Sequence, residues 1–112
     1  MSYKIDTIAH FDKQFKRLAK KHPSLKTDFI AFVESVKSNP FQGVSLKNNC
    51  HKLRLAIKSK GKGKSGGARV ILHIVIQNKM IYFLSIYDKS ALENIENKEI
   101  NQLLTQIPNS GK

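Results

Sequence analysis

Two apolar segments lie back to back past the middle of the chain: ARVILHIVIQ (Ala68–Gln77) and MIYFLSIYD (Met80–Asp88). The first carries apolar residues on both faces, the pattern of a strand buried in the middle of a sheet. Between the two runs stands QNK (Gln77–Lys79), a turn-like triplet that makes them an antiparallel hairpin. Neither run is long enough to cross a bilayer. Everything else in the chain must therefore supply the flanking strands and the cover that such a hairpin needs.

A flanking strand is legible upstream. In HKLRLAIKS, Leu53, Leu55 and Ile57 alternate with Lys52, Arg54, Ala56 and Lys58, so one face is apolar and the other basic. Cover is legible at both ends. After a short first strand in YKIDTI (residues 3–8), Phe11, Phe15 and Leu18 recur at helical spacing, with lysines on the opposite side. His22-Pro23 breaks that helix, because a residue before proline avoids helical geometry. Pro23 then fits the first turn of a second helix, in which Leu25, Phe29, Phe32, Val33 and Val36 share a side. NPFQG (Asn39–Gly43) ends it. At the far end, Leu92, Ile95, Ile100, Leu103, Leu104 and Ile107 predict a terminal helix. Ser90 is its expected cap, with Glu93 completing a capping box. The expectation is an α+β fold: an N-terminal helical hairpin packed on a small antiparallel sheet, with a C-terminal helix, in one domain over residues 1–112. The helices cover one face of the sheet and leave the other partly open, and the terminal helix either belongs to that cover or caps a site.

Charge narrows the function. The net charge is +12, and residues 51–89 hold nine lysines and arginines against the single acid Asp88. A field of that kind attracts a polyanion. The N-terminus shows no signal-peptide pattern, since Asp6 and Asp12 interrupt any apolar run. Cys50 is the one cysteine, which suits a reducing cytoplasm. It reads as a plain thiol at a strand edge.

The densest cationic stretch is KSKGKGKSGGAR, with Lys58, Lys60, Lys62, Lys64 and Arg69 among four glycines. Its GKS triplet is the end of a phosphate-binding P-loop motif, but the motif's first glycine would be residue 58, which is lysine. A strand rather than a helix also follows, so no helix N-terminus receives a phosphate. The stretch reads instead as a cationic finger between two strands, whose glycines (Gly66 and Gly67 among them) let a phosphate chain approach the backbone. If the strands are neighbours, Arg54, Arg69, Tyr87 and Lys89 converge at one end of the sheet. Guanidinium groups there suit phosphate oxygens, and an aromatic ring can stack on a base.

Lys52-Leu53-Arg54, the glycine–lysine run ending in Ala68-Arg69, and Ile86-Tyr87-Asp88-Lys89 together resemble the RelE/ParE superfamily of bacterial toxins, closest to its RelE and HigB branch. The likeness extends through the helical hairpin to about residue 105. It implies the RelE-like microbial ribonuclease fold and a metal-independent, ribosome-dependent endoribonuclease that cuts mRNA in the decoding site. It also implies a cognate antitoxin as partner, helix-turn-helix or RelB-like, with operator DNA reached only through that antitoxin and no membrane involved. By matched motif, Arg54 and Arg69 clamp the phosphate and stabilise the transition state. Lys62 and Lys64 bind the RNA backbone, and crowding by other cations can lower one lysine's pKa by about a unit, toward the range of a general base. Tyr87 orients or stacks on the substrate and Lys89 completes the cluster, with Lys58, Lys60, Gly66, Gly67 and His73 as further RNA contacts.

Arg69 stands at an exposed loop mouth in this reading, so its replacement should spare the fold. His73, on the same side of its strand as Arg69, is either an acid–base group or a hydrogen-bonded residue of the sheet. His51 is open in the same way, whereas Tyr82 reads as packing. No group of His, Cys, Asp and Glu has metal-ligand spacing, so neither metal nor cofactor is expected. Two other readings compete: a ParE-like poison of DNA gyrase, and a toxin fold that binds nucleic acid without cutting it.

Overall fold

The computed structural model describes residues 3–61, 66–90 and 95–107. In chain order its elements are β1 (Lys4–Thr7), α1 (Ala9–Lys21), α2 (Leu25–Ser38), β2 (Val44–Ser45), β3 (Cys50–Leu55), a 3-10 turn (Lys58–Lys60), β4 (Ala68–Val75), β5 (Met80–Asp88) and α3 (Asn97–Leu104). The strands form one sheet in the order β1-β5-β4-β3-β2. The apolar hairpin β4–β5 is its centre, as its two-sided hydrophobicity requires. Only β1 runs parallel to its neighbour, β5, because the α1–α2 hairpin separates it from the meander that follows. The architecture is thus α+β with a mixed, mainly antiparallel sheet.

α1 and α2 bury one face of the sheet through aromatic side chains. Phe83 of β5 meets Phe11, Phe29 and Phe32 at ring-centroid distances of 5.4, 5.5 and 6.1 Å. Phe15 joins the cluster through Phe11 and Phe29. His22 ends α1 as expected. α2 starts later than the sequence suggests: Ser24 is its N-cap and Pro23 lies outside the helix. The Ser24 hydroxyl donates to Asp28 Oδ2 (2.7 Å), so the proline's fixed geometry serves the turn between the helices.

Three features escape the sequence patterns. β2 is two residues long and pairs with β3 across Asn48 and Asn49, both at positive φ, as a tight hairpin turn favours. β5 carries a bulge: Ile71 faces Ser85 and Leu72 faces Phe83, which leaves Leu84 without a partner in the ladder. Finally, the terminal helix begins at Asn97 after Glu96, not at Ser90. Ser90 instead donates its backbone N–H and its hydroxyl to Asp88 Oδ1 (2.9 and 2.8 Å), a local turn that competes with helix capping. Glu93 and Leu92 lie outside the described residues. Among those described, α3 buries Ile100 and Leu103, and Ile107 follows them into the core.

Cys50 opens β3 and is fully buried, paired in register with His73. Burial pushes its thiol up to about 11, so it stays protonated and unreactive. Thiol labelling of the native chain at pH 8 should run at least about 100-fold slower than in denaturant, since reaction waits on opening of the sheet. Equal rates would contradict the packing around β3.

Candidate active site

The register of β3, β4 and β5 sets three side chains in a row. Arg54 of β3 lies directly opposite Arg69 of β4, and Arg69 lies directly opposite Tyr87 of β5. Residues so paired project from the same face, with Cβ atoms about 5 Å apart. By register this is the face opposite Phe83, while Arg54 and Tyr87, towards the margins of the sheet, also border clefts beside α2 and α1. Phe83 and Tyr87 are four residues apart and would share a face of an unbroken strand. The bulge at Leu84 reverses the phase, so Phe83 packs on the helices while Tyr87 joins the two arginines.

The three are not equally accessible. Arg54 is exposed, whereas Arg69 and Tyr87 are each only 6% exposed. Arg69 therefore does not stand at an open loop mouth: it is the second residue of a central strand, and one guanidinium nitrogen reaches the Ala68 carbonyl (3.2 Å). Burial, with Glu99 of α3 acting in the same direction, raises the Tyr87 phenol, and Arg69 partly offsets this. Its hydroxyl is buried with no hydrogen-bond partner among the described residues. It is thus a protonated phenol beside a guanidinium, able to donate to an oxyanion. α3 packs against β5, which brings its Glu99 close enough to act on this phenol.

The remaining candidates divide into those near the row and those elsewhere. Lys89 follows β5 and is exposed, and its backbone N–H holds the Gly67 carbonyl (3.1 Å). Gly67 presses against β3, where a Cβ would collide with the Leu55 carbonyl, so its glycine serves close packing of two backbones. Gly66 precedes it and is half-buried. Lys58 has an exposed side chain, while its backbone N–H is held by Asp28 Oδ2 (2.9 Å). Lys60 is paired with Asp88 at 2.7 Å. Lys62 and Lys64 lie outside the described residues. His73 shares the face of Arg69 but sits four residues along β4, about 13 Å away, with its ring nitrogen Nδ1 3.7 Å from the Cys50 thiol. Burial lowers its pKa, so it is neutral at neutral pH. His51 lies close to the Gln42 carbonyl (3.2 Å), and Tyr82 faces His73 across the ladder. Among the described residues, no three His, Cys, Asp or Glu side chains group as metal ligands. None of the described helices is long and apolar enough to cross a membrane.

Both carboxylates that organise this end of the sheet, Asp28 and Asp88, went unassigned in the sequence. Asp88 carried a signal nonetheless, as the lone acid in a stretch of net charge +8.

Comparison with known proteins decides the family. The family model for the RelE toxin of the RelE/RelB toxin–antitoxin system matches residues 9–107. The chain belongs to the RelE toxin family. It is therefore the toxin of a toxin–antitoxin module. Solved structures agree on the fold at low identity. A double-arginine mutant of the E. coli toxin RelE in the free state superposes with a TM-score of 0.63 at 14% identity, over 96% of this chain and 99% of that one. The isolated E. coli RelE toxin gives 0.60 at 13% identity, over 95% and 99%. The RelBE2 toxin–antitoxin complex from Mycobacterium tuberculosis gives 0.57 at 10% identity, over 79% and 99%. In this RelE-family toxin, then, the Arg54–Arg69–Tyr87 row sits on a scaffold shared with proteins seen both alone and bound to antitoxin.

Proposed function

We propose that the chain is an endoribonuclease that cuts mRNA in the decoding site of the ribosome and is held inactive by a co-expressed antitoxin. The observation that carries this reading is the cross-strand row of two guanidinium groups and a phenol on one face. In the reaction, the ribose 2′-hydroxyl loses its proton and attacks the adjacent phosphorus. The bond from phosphorus to the 5′-oxygen breaks and that oxygen takes up a proton, from the Tyr87 phenol or from water, leaving a 2′,3′-cyclic phosphate and a 5′-hydroxyl end. Arg54 and Arg69 neutralise the charge that builds on the phosphoryl oxygens. Tyr87, protonated at neutral pH, orients the substrate or donates a hydrogen bond to it. A lysine of the cationic finger, Lys62 or Lys64, takes the 2′-proton, and Lys58 and Lys89 grip the flanking backbone. Arg69 and Tyr87 are buried and Arg54 is exposed, so Arg54 is the member of the row that the substrate meets first.

The test uses purified ribosomes programmed with a defined mRNA, read by primer extension, with free mRNA as control. The expected result is cutting within the A-site codon and slow or absent cutting of free mRNA. If no cut appears on or off the ribosome, the nuclease reading is wrong. Gyrase-dependent DNA breaks would then identify the ParE-like activity, and their absence a toxin fold that binds without cutting.

A further inference from the structure

β3 and β5 both pair with β4 and not with each other. Arg54 and Tyr87 therefore stand on either side of Arg69, two strand spacings or about 10 Å apart. In the ladder the exit of β3 meets the end of β5 only through Ala68, which is paired with both Leu55 and Asp88. The Asp88 side chain adds a direct tie. Asp88 follows Tyr87, lies opposite Ala68 and projects from the other face. Its Oδ1 accepts a hydrogen bond from Lys60 Nζ (2.7 Å), on the turn that follows β3. The same oxygen accepts the Ser90 N–H and hydroxyl, and His22 Nε2 at the end of α1 lies 3.3 Å from Oδ2, close but not aligned as a hydrogen bond. The Lys60 and Asp88 side chains are only 13% and 15% exposed, so this is not a solvated surface pair. Burial raises the carboxyl, but Lys60 and Ser90 together outweigh it and hold the group well below the usual carboxylate range.

We propose that Asp88 is a positioning residue for RNA cleavage: by holding Lys60 it brackets the start of β4 and fixes Arg54 relative to Arg69 and Tyr87. Asp28 completes the bracket from α2 by holding the Lys58 N–H. The turn carries two like charges, Lys58 and Lys60, and the two carboxylates offset their repulsion. The inference rests on the nuclease reading above, but part of its test does not.

Asp88→Asn gives the decisive experiment, because it keeps the shape and acceptor while raising the net charge by one. If Asp88 merely diluted the positive field, the variant would bind RNA more tightly and cut at least as fast. Positioning predicts the opposite split: KM unchanged or lower, and kcat reduced about 100-fold, the cost of a misplacement of about 1 Å. Glu34→Gln, on the exposed side of α2, makes the same charge change and should leave both constants unaltered. Asp88→Glu, which keeps the charge, should recover part of kcat. Amide hydrogen exchange provides the arm independent of activity. In Asp88→Asn, exchange at Lys60 and Gly61, whose N–H groups close the turn onto Ile57 and Lys58, should speed up at least about tenfold, with α1 and α2 unchanged. Unchanged exchange at Lys60 and Gly61, or an unchanged kcat, overturns the proposal. Faster exchange in a chain that never cuts RNA would keep the bracket and sink the nuclease reading.

Discussion

Arg54→Ala is expected to slow mRNA cleavage by about 100- to 1,000-fold, the usual cost of removing one preorganised donor to a developing oxyanion. The same variant should melt within a degree or two of the parent, since Arg54 is exposed and surface substitutions away from special features change stability by about 0.5 kcal/mol or less. Arg69→Ala should lose comparable activity but also lose stability. Arg69 is buried between two strands, and truncation there removes packing along the side-chain stem as well as charge. Arg69→Lys separates the two effects: it keeps the charge and most of the stem but not the planar fork that grips two oxygens at once. Single-turnover cleavage on programmed ribosomes, beside thermal melting of each variant, checks all three. Full activity in Arg54→Ala would remove the one member of the row that the solvent already reaches.

The largest effect on stability is expected at Phe83→Ala. Phe83 is fully buried and touches three aromatic rings from two helices. Loss of such a side chain costs about 3–5 kcal/mol through lost transfer energy and the cavity left behind, enough to lower the melting temperature by more than about 10 °C in a chain of this size. It should also loosen the seat of the α1–α2 hairpin. A loss below about 1 kcal/mol would mean that the aromatic cluster is not the keystone of the helix–sheet layer.

Most of the architecture follows from periodicity. The two-sided apolar hairpin belongs at the sheet centre because nothing else hides both of its faces. The alternation of Leu53, Leu55 and Ile57 with Lys52, Arg54 and Lys58 places Arg54 on the opposite face from the core, and the register confirms it. What stayed illegible depends on breaks in regularity. The bulge at Leu84 has no pattern of its own, yet it alone puts Tyr87 rather than Phe83 on the face of the arginines. The burial of Arg69 has no sequence signature, because glycines next to an arginine suggest an open loop, while Gly67 locks the chain against β3. α3 starts later than the sequence predicts because Ser90 followed by Glu93 resembles a cap, although Asp88, two residues before Ser90, offers its N–H a nearer acceptor.

The most direct test of the row is a phosphorothioate at the scissile linkage of a ribosome-bound mRNA. Replacing one non-bridging oxygen by sulfur should slow the parent toxin by about tenfold or more in one diastereomer, because the guanidinium loses a charge-assisted hydrogen bond. The same sulfur should matter little in Arg54→Ala, where that contact is already gone. An identical thio effect in parent and variant would show that Arg54 does not touch the reacting phosphate.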